Sequence, residues 1–180
     1  MSLILRPAET TDSERLLAIY RPWVEAPGHC FELECPSVET FAGRIASSRA
    51  RWDWWLAEEG GEALGYAYGG PHRERAAYRY SCEVSVYLAP VAQGQGLARA
   101  LYGRLLPRLA ARGYFNALAV IVQPNPRSLA FHQREGFRPV GVFERAGYKQ
   151  GRWWDVAWLQ KRLAEGEPAA EPGILAPPPA

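Results

Sequence analysis

The feature that most constrains this chain lies between residues 80 and 112, where a run built for a β-strand turns through glycines into a run built for a helix. Tyr80-Ser-Cys-Glu-Val-Ser-Val-Tyr-Leu88 is rich in β-branched and aromatic residues and is stopped by Pro90. The period then changes: Leu97, Leu101, Leu105 and Leu109 recur every fourth residue, and Gly113 supplies the stop. Between the two runs stands Gln93-Gly94-Gln95-Gly96-Leu97-Ala98. A helix start leaves backbone N–H groups unpaired and carries partial positive charge, and glycines let a diphosphate approach that backbone closely. The pattern predicts a central strand over 80–88, a helix over 94–112 and an anion site between them. A lone G-x-G is more often only a tight turn. No Lys-Ser or Lys-Thr follows it as a Walker loop requires, and it lacks the third glycine and later acid of a dinucleotide fingerprint.

Around this centre the chain reads as alternating strands and helices. Leu3-Ile4-Leu5 forms a first strand, and Thr11-Asp12 caps a helix with Leu16, Leu17, Tyr20, Trp23 and Val24 on one face. Ser37 caps a second helix to about residue 48, and residues 54–58 and 63–69 make a hairpin about Gly60-Gly61. Residues 116–122 are nearly unbroken in apolar character, as a strand covered on both faces should be. A third helix follows over 126–135, ended by Gly136, and strands over 137–146 and 152–161 close the pattern. The expected class is α/β in the broad sense, a mixed sheet flanked by helices, in one domain over residues 1–163. Residues 164–180 are dominated by Pro, Ala, Gly and Glu and are expected to be disordered, since such a tail cannot bury enough apolar surface to offset its ordering entropy.

Composition excludes several classes. The chain has 180 residues and 48% hydrophobic content, enough for one core. Its 21 basic and 19 acidic residues are interspersed, so no field for a polyanion arises and nucleic acid is not an expected partner. Cys30, Cys35 and Cys82 suit neither a disulfide framework nor a metal site, so no metal is expected and a reducing cytoplasm is the expected location. Residues 1–7 lack a signal-peptide pattern, and no apolar run of about 18 residues spans a bilayer, so no membrane partner is expected.

Gln93, Gly96 and Ala98 match Gln/Arg-x-x-Gly-x-Gly/Ala, the pyrophosphate loop of the Gcn5-related N-acetyltransferase (GNAT) superfamily, which this sequence resembles over residues 3–163. Asn125-Pro-Arg-Ser128, His132 and Gly136-Phe137 extend the resemblance. Within that superfamily it is similar to the phosphinothricin and methionine sulfoximine acetyltransferases, through Gly65-Tyr-Ala-Tyr68, Ala77-Tyr-Arg79, Glu83-Val-Ser-Val-Tyr87 and Gly147-Tyr-Lys-Gln-Gly-Arg-Trp153. The resemblance implies the GNAT acyltransferase fold with a mostly antiparallel sheet, acetyl-CoA as co-substrate, a small amino-acid-like amine acceptor and a homodimer; a protein or peptide N-acetyltransferase and a non-catalytic acetyl-CoA-binding domain are the alternative readings. It also implies that Gln93, Gly94, Gln95, Gly96, Leu97 and Ala98 hold the pyrophosphate. The backbone of Ser85, Val86 and Tyr87 would run beside the pantetheine, one N–H polarising the thioester carbonyl. Asn125 and Ser128 would contact the same arm or simply cap their helix.

An alkylamine near pKa 10 is almost wholly protonated at neutral pH, so transfer needs a base. Glu83 is the only acidic residue between Arg75 and Glu135, and it is the expected general base, against the alternative of an ion pair with Arg75 or Arg79. Many relatives place a Tyr where His132 stands; a histidine there can protonate the leaving thiolate, although a lone helical His is more often a packing residue. Arg75 and Arg79 are candidates to hold an acceptor carboxylate or phosphinate, with Phe31, Glu32, Tyr78 and Tyr80 lining the pocket. Cys82 should face away from Glu83, because adjacent strand residues point to opposite faces. The sequence departs from those relatives at Tyr80, where Trp is common, and in its acceptor loop, Pro71-His-Arg-Glu-Arg75.

Overall fold

The computed structural model describes residues 2–166; residues 167–180, most of the segment expected to be disordered, lie outside the described residues. In chain order the elements are β1 (Ile4–Pro7), α1 (Ser13–Glu25), α2 (Val38–Arg49), β2 (Trp54–Glu59), β3 (Glu62–Pro71) and β4 (Ser81–Leu88), then α3 (Leu97–Ala111), β5 (Asn116–Gln123), α4 (Pro126–Arg134), β6 (Arg138–Lys149) and β7 (Arg152–Arg162). The strands form one sheet in the order β1-β2-β3-β4-β5-β7-β6. Neighbours are antiparallel except β4 and β5, which are parallel, so the sheet is mixed and mostly antiparallel as expected. No helix among the described residues is long and apolar enough to cross a membrane.

Side-chain alternation along the strands divides the interior in two. On one face Leu16, Leu17, Tyr20 and Val24 of α1 and Phe41 and Ile45 of α2 pack on Trp54, Leu56 and Tyr66. On the other, Leu97, Leu101, Leu105 and Leu109 of α3 pack on Ala57, Ala67, Cys82, Val84, Ala117 and Ala119. Small residues on β2, β3 and β5 let α3 sit close to the sheet, and Cys82, wholly buried there, faces away from Glu83 as expected. Burial pushes its thiol up to about 12, with the nearby Glu83 charge adding to the effect.

Local chemistry sets the boundaries. Ser37 Oγ accepts a hydrogen bond from the Thr40 amide at 3.1 Å and starts α2 as expected. Asp12 precedes α1 without capping it: its carboxylate accepts from the Glu9 amide at 2.8 Å and takes the guanidinium groups of Arg6 and Arg15. The helix expected from residue 94 begins instead at Leu97, because Gly94 and Gly96 have φ of 79° and 78°, outside helical space. The leucine period was continuous with the loop, and only backbone conformation separates them. The closing hairpin runs beyond its expected end, β6 reaching Lys149 through register shifts at Pro139/Gly141 and Phe143/Gly147.

One irregularity of the sheet creates the site. β4 and β5 pair only where Ser81, Cys82 and Glu83 meet Asn116, Ala117 and Leu118. Beyond that, β4 continues against β3 to Leu88 and β5 continues against β7 to Gln123. The two strands part from Val84 and Ala119 onward, and their facing edges are left without ladder partners in the middle of the sheet.

Candidate active site

A cleft of about 970 Å³ occupies this split. Val84 to Leu88 form one wall and Ala119 to Val122 the other; Gln93, Gly94, Gly96, Leu97 and Ala98 form one end, and Asn125, Ser128 and His132 of the α4 region close it from below. Strand edge, glycine loop and helix start expected from sequence therefore meet in a single space.

The glycine loop suits an anion. Gly94 and Gly96 hold left-handed φ, and a Cβ added to either would meet nothing within 4 Å, so the space above their backbone is open. Gly96 is the N-cap residue of α3, whose first amides have no earlier carbonyl to bond. A diphosphate fits there on geometry and on the helix dipole. Gln93 Oε1 accepts from Arg127 at 2.6 Å, which fastens the loop to the start of α4. Gln95 turns back, its Nε2 donating to the Val91 carbonyl at 2.8 Å, and its side chain is not part of the cleft wall. Asn125 lines the cleft, and its Oδ1 caps α4 by accepting from the Ser128 amide at 3.1 Å. The unpaired edge of β4 at Ser85, Val86 and Tyr87 offers backbone groups for an extended arm.

His132 is 4% exposed. Nδ1 lies 2.8 Å from the Ser128 carbonyl and so donates to it, which leaves Nε2 to accept from the Tyr102 hydroxyl at 3.0 Å. Burial lowers its pKa, against a raising effect of the Ser128 carbonyl, so the ring is held neutral. Burial also pushes the Tyr102 phenol up, which opposes loss of its proton to the histidine.

Glu83 stands on β4 at the root of the split, on the opposite face from Cys82. Neither Arg75 nor Arg79 pairs with it. Its Oε1 lies 3.0 Å from Nδ1 of His72 instead, a partner absent from the sequence reading. The register explains the meeting: Gly70 is opposite Glu83 and Pro71 opposite Cys82, so His72, two residues past Gly70, is a same-face diagonal neighbour of Glu83.

The expected acceptor residues come from two loops. Phe31 and Glu32 lie between α1 and α2. Glu32 Oε1 accepts from the Tyr20 hydroxyl at 3.1 Å and pairs with Arg44. Phe31 lies against Gly147 of β6, where an added Cβ would stand 2.4 Å from the ring. In the loop from β3 to β4, Tyr78 meets His72 edge to face at 5.5 Å, Arg75 is exposed before the turn Ala76–Tyr78, and Arg79 lies over the Tyr80 ring at 4.8 Å. Arg73 rests over Trp158 at 5.5 Å, beside His72. Buried Lys149, within the Gly147–Trp153 motif but given no role by the sequence, reaches the carbonyls of Val24 at 2.6 Å and Cys30 at 3.0 Å, fixing both ends of the segment before Phe31.

Known proteins agree with this arrangement. An acetyltransferase (GNAT) domain profile matches residues 5–158. The phosphinothricin N-acetyltransferase of Streptomyces coelicolor is 47% identical over 163 residues, covering 88% of this chain and 95% of that protein. The L-methionine sulfoximine/L-methionine sulfone acetyltransferase of Pseudomonas paraeruginosa is 33% identical over 91% of this chain and 96% of its own. A phosphinothricin acetyltransferase from Sinorhizobium meliloti, solved in complex with acetyl-CoA, superposes with a TM-score of 0.89 at 36% identity, over 99% of this chain and 97% of that one. With the split sheet and its glycine loop in place, the chain belongs to the GNAT family of acetyl-CoA-dependent N-acetyltransferases.

Proposed function

We propose that the acceptor is a small amino-acid-like amine of the phosphinothricin, methionine sulfoximine or methionine sulfone type. The observation that carries this reading is the position of Glu83, a half-buried carboxylate at the point where β4 and β5 separate, between the cleft and the acceptor loops. Acetyl-CoA supplies an activated acyl group; the residues proposed to hold it are the amides at Gly94 to Ala98 and the free edge of Ser85, Val86 and Tyr87. Glu83 accepts a proton from the acceptor ammonium, directly or through a water, leaving the neutral amine that bonds to the acyl carbon; the carbon–sulfur bond then breaks, and the nitrogen gives up its second proton to solvent as the amide forms. A β4 amide polarises the acyl oxygen. The hydrogen bonds at both nitrogens of His132 favour a positioning role for it over that of a proton donor, so the departing thiolate takes its proton from solvent. Phe31, Glu32, Arg75, Tyr78 and Arg79 supply the acceptor walls in this reading, a guanidinium being the group that best holds an acidic group of the acceptor.

The test is release of free CoA from acetyl-CoA with a panel of these amino-acid analogues, dipeptides and polyamines, for wild type and Glu83→Gln. Release stimulated by the analogues, with the Glu83→Gln loss concentrated near neutral pH and recovering at high pH, is expected. Ready turnover of peptides with none of the analogues would refute the small-molecule reading.

We propose also that residues 1–163 act as the catalytic domain, in the cytoplasm and as a homodimer. What supports the dimer is the apolar character of the edge strand β6, where Val140, Val142 and Phe143 are exposed. Sedimentation of wild type and Val142→Glu decides it: two chain masses falling to one is expected, and a wild-type monomer overturns it.

A further inference from the structure

His72 is more enclosed than the carboxylate it touches: its side chain is 13% exposed, that of Glu83 34%. Three elements fix the imidazole. Tyr78, from the turn before β4, meets it edge to face at 5.5 Å; Trp158 of β7 meets it at 5.6 Å from another side; Glu83 of β4 takes its Nδ1. Arg73 over the Trp158 ring holds that indole in turn. A ring gripped in this way has one fixed direction for Nδ1–H, and that direction is the Glu83 carboxylate. The packing alone would be met by any flat side chain of similar size, and only the nitrogen gives the ring something to offer Glu83.

We propose that His72 is a positioning residue for the base: Nδ1–H donates to Oε1 of Glu83, fixes the carboxylate rotamer, and leaves Oε2 to receive the proton of the acceptor ammonium. This rests on the reading of Glu83 as the base. A glutamate on a strand has free torsions beyond Cβ, and a general base must stand within hydrogen-bond reach of its proton; a misplacement of about 1 Å costs on the order of a hundredfold in rate. His72 removes that freedom through its contact with the carboxylate.

The experiment compares His72→Phe, which keeps a ring in the slot and removes the donor, with His72→Asn, whose amide nitrogen occupies the place of Nδ1. Steady-state rates are measured with methionine sulfoximine and acetyl-CoA, alongside Glu83→Gln, the double variant His72→Phe/Glu83→Gln, and the melting temperature of each. His72→Phe is expected to lose roughly tenfold to a hundredfold in kcat/KM for the acceptor, with KM for acetyl-CoA unchanged. His72→Asn should stay within about threefold of wild type, and the phenylalanine should cost nothing further once Glu83 is gone. Should His72→Phe melt early, His72→Gln replaces it, since its amide lies one bond too far and should fail where asparagine succeeds. Equal rates for His72→Phe and wild type, or full additivity in the double variant, overturn the proposal while leaving Glu83 as the base. A fully active Glu83→Gln variant overturns the reading of the base itself, and the proposal with it.

Discussion

The hydroxyl of Tyr102 on α3 stands 3.0 Å from Nε2 of His132 on α4, so the imidazole joins two helices in its neutral form. Burial lowers the pKa of His132 below its ordinary 6.5, and burial and the Lys149 cation do the same to His29. Both groups therefore bind protons more readily in the unfolded chain, and stability must rise with pH through that window. It is complete above about 6.5 and is lost as the pH falls through the depressed native values. Thermal melts from about pH 7.5 to about pH 5.5 should fall, and His132→Gln should show a shallower fall. A wild-type melting temperature constant over this range would contradict the neutral assignment.

Gly96→Val tests the cleft floor. An added Cβ meets no atom of the chain within 4 Å, so the position is open at its first carbon. A β-branched residue at φ 78° costs about 1–2 kcal/mol of strain, and its side chain fills the space assigned to the diphosphate. Calorimetric titration should show acetyl-CoA affinity reduced roughly tenfold or more while a weaker effect appears in the melting temperature. Unchanged affinity would remove the glycine loop from the binding site.

Gly147→Ala acts from a distance. Its Cβ would stand 2.4 Å from the Phe31 ring, closer than real carbons approach, so Phe31 must move. The expected result is a raised KM for the acceptor, with KM for acetyl-CoA unaltered, in the same CoA-release assay. If both constants are unchanged, Phe31 does not line the acceptor pocket.

Lys149→Met removes a buried ammonium that satisfies the carbonyls of Val24 and Cys30. Each carbonyl left unpaired in the interior costs about 1–3 kcal/mol, so urea denaturation should show a loss of roughly 2–6 kcal/mol. Arginine at 149 should not restore it, because the site is closed to a larger head group. A loss under about 1 kcal/mol would mean that water replaces the ammonium.

Local signals carried most of the fold. The switch from period two to period four around Gly94, the Ser37 cap and the apolar run of β5 act over a few residues, and all are found where the sequence puts them, with α3 shifted by the two left-handed glycines. The cleft was legible for the same reason, since glycine loop, strand edge and helix start are contiguous. The acceptor side was less so. Glu83 could be picked out as an isolated carboxylate, but its contact with His72 depends on the register of β3 against β4, and the contact of Phe31 with Gly147 depends on how a loop near one terminus meets a strand near the other. Gln95 sits within the binding motif, and its side chain finds the Val91 carbonyl four residues back.

The lysine clamp joins parts of the chain made at very different times. Lys149 bonds to residues 125 and 119 positions earlier, and Gln150 reaches the Glu25 carbonyl across 125 positions. The segment carrying Phe31 and Glu32 thus leaves the ribosome long before the strand that fastens it exists. A nascent chain can build the β2–β3–β4 meander and dock α3 while its acceptor wall is still slack. Termination between α4 and β6 would then leave a chain that carries its glycine loop but lacks both the lysine clamp and β7, the strand that holds β5.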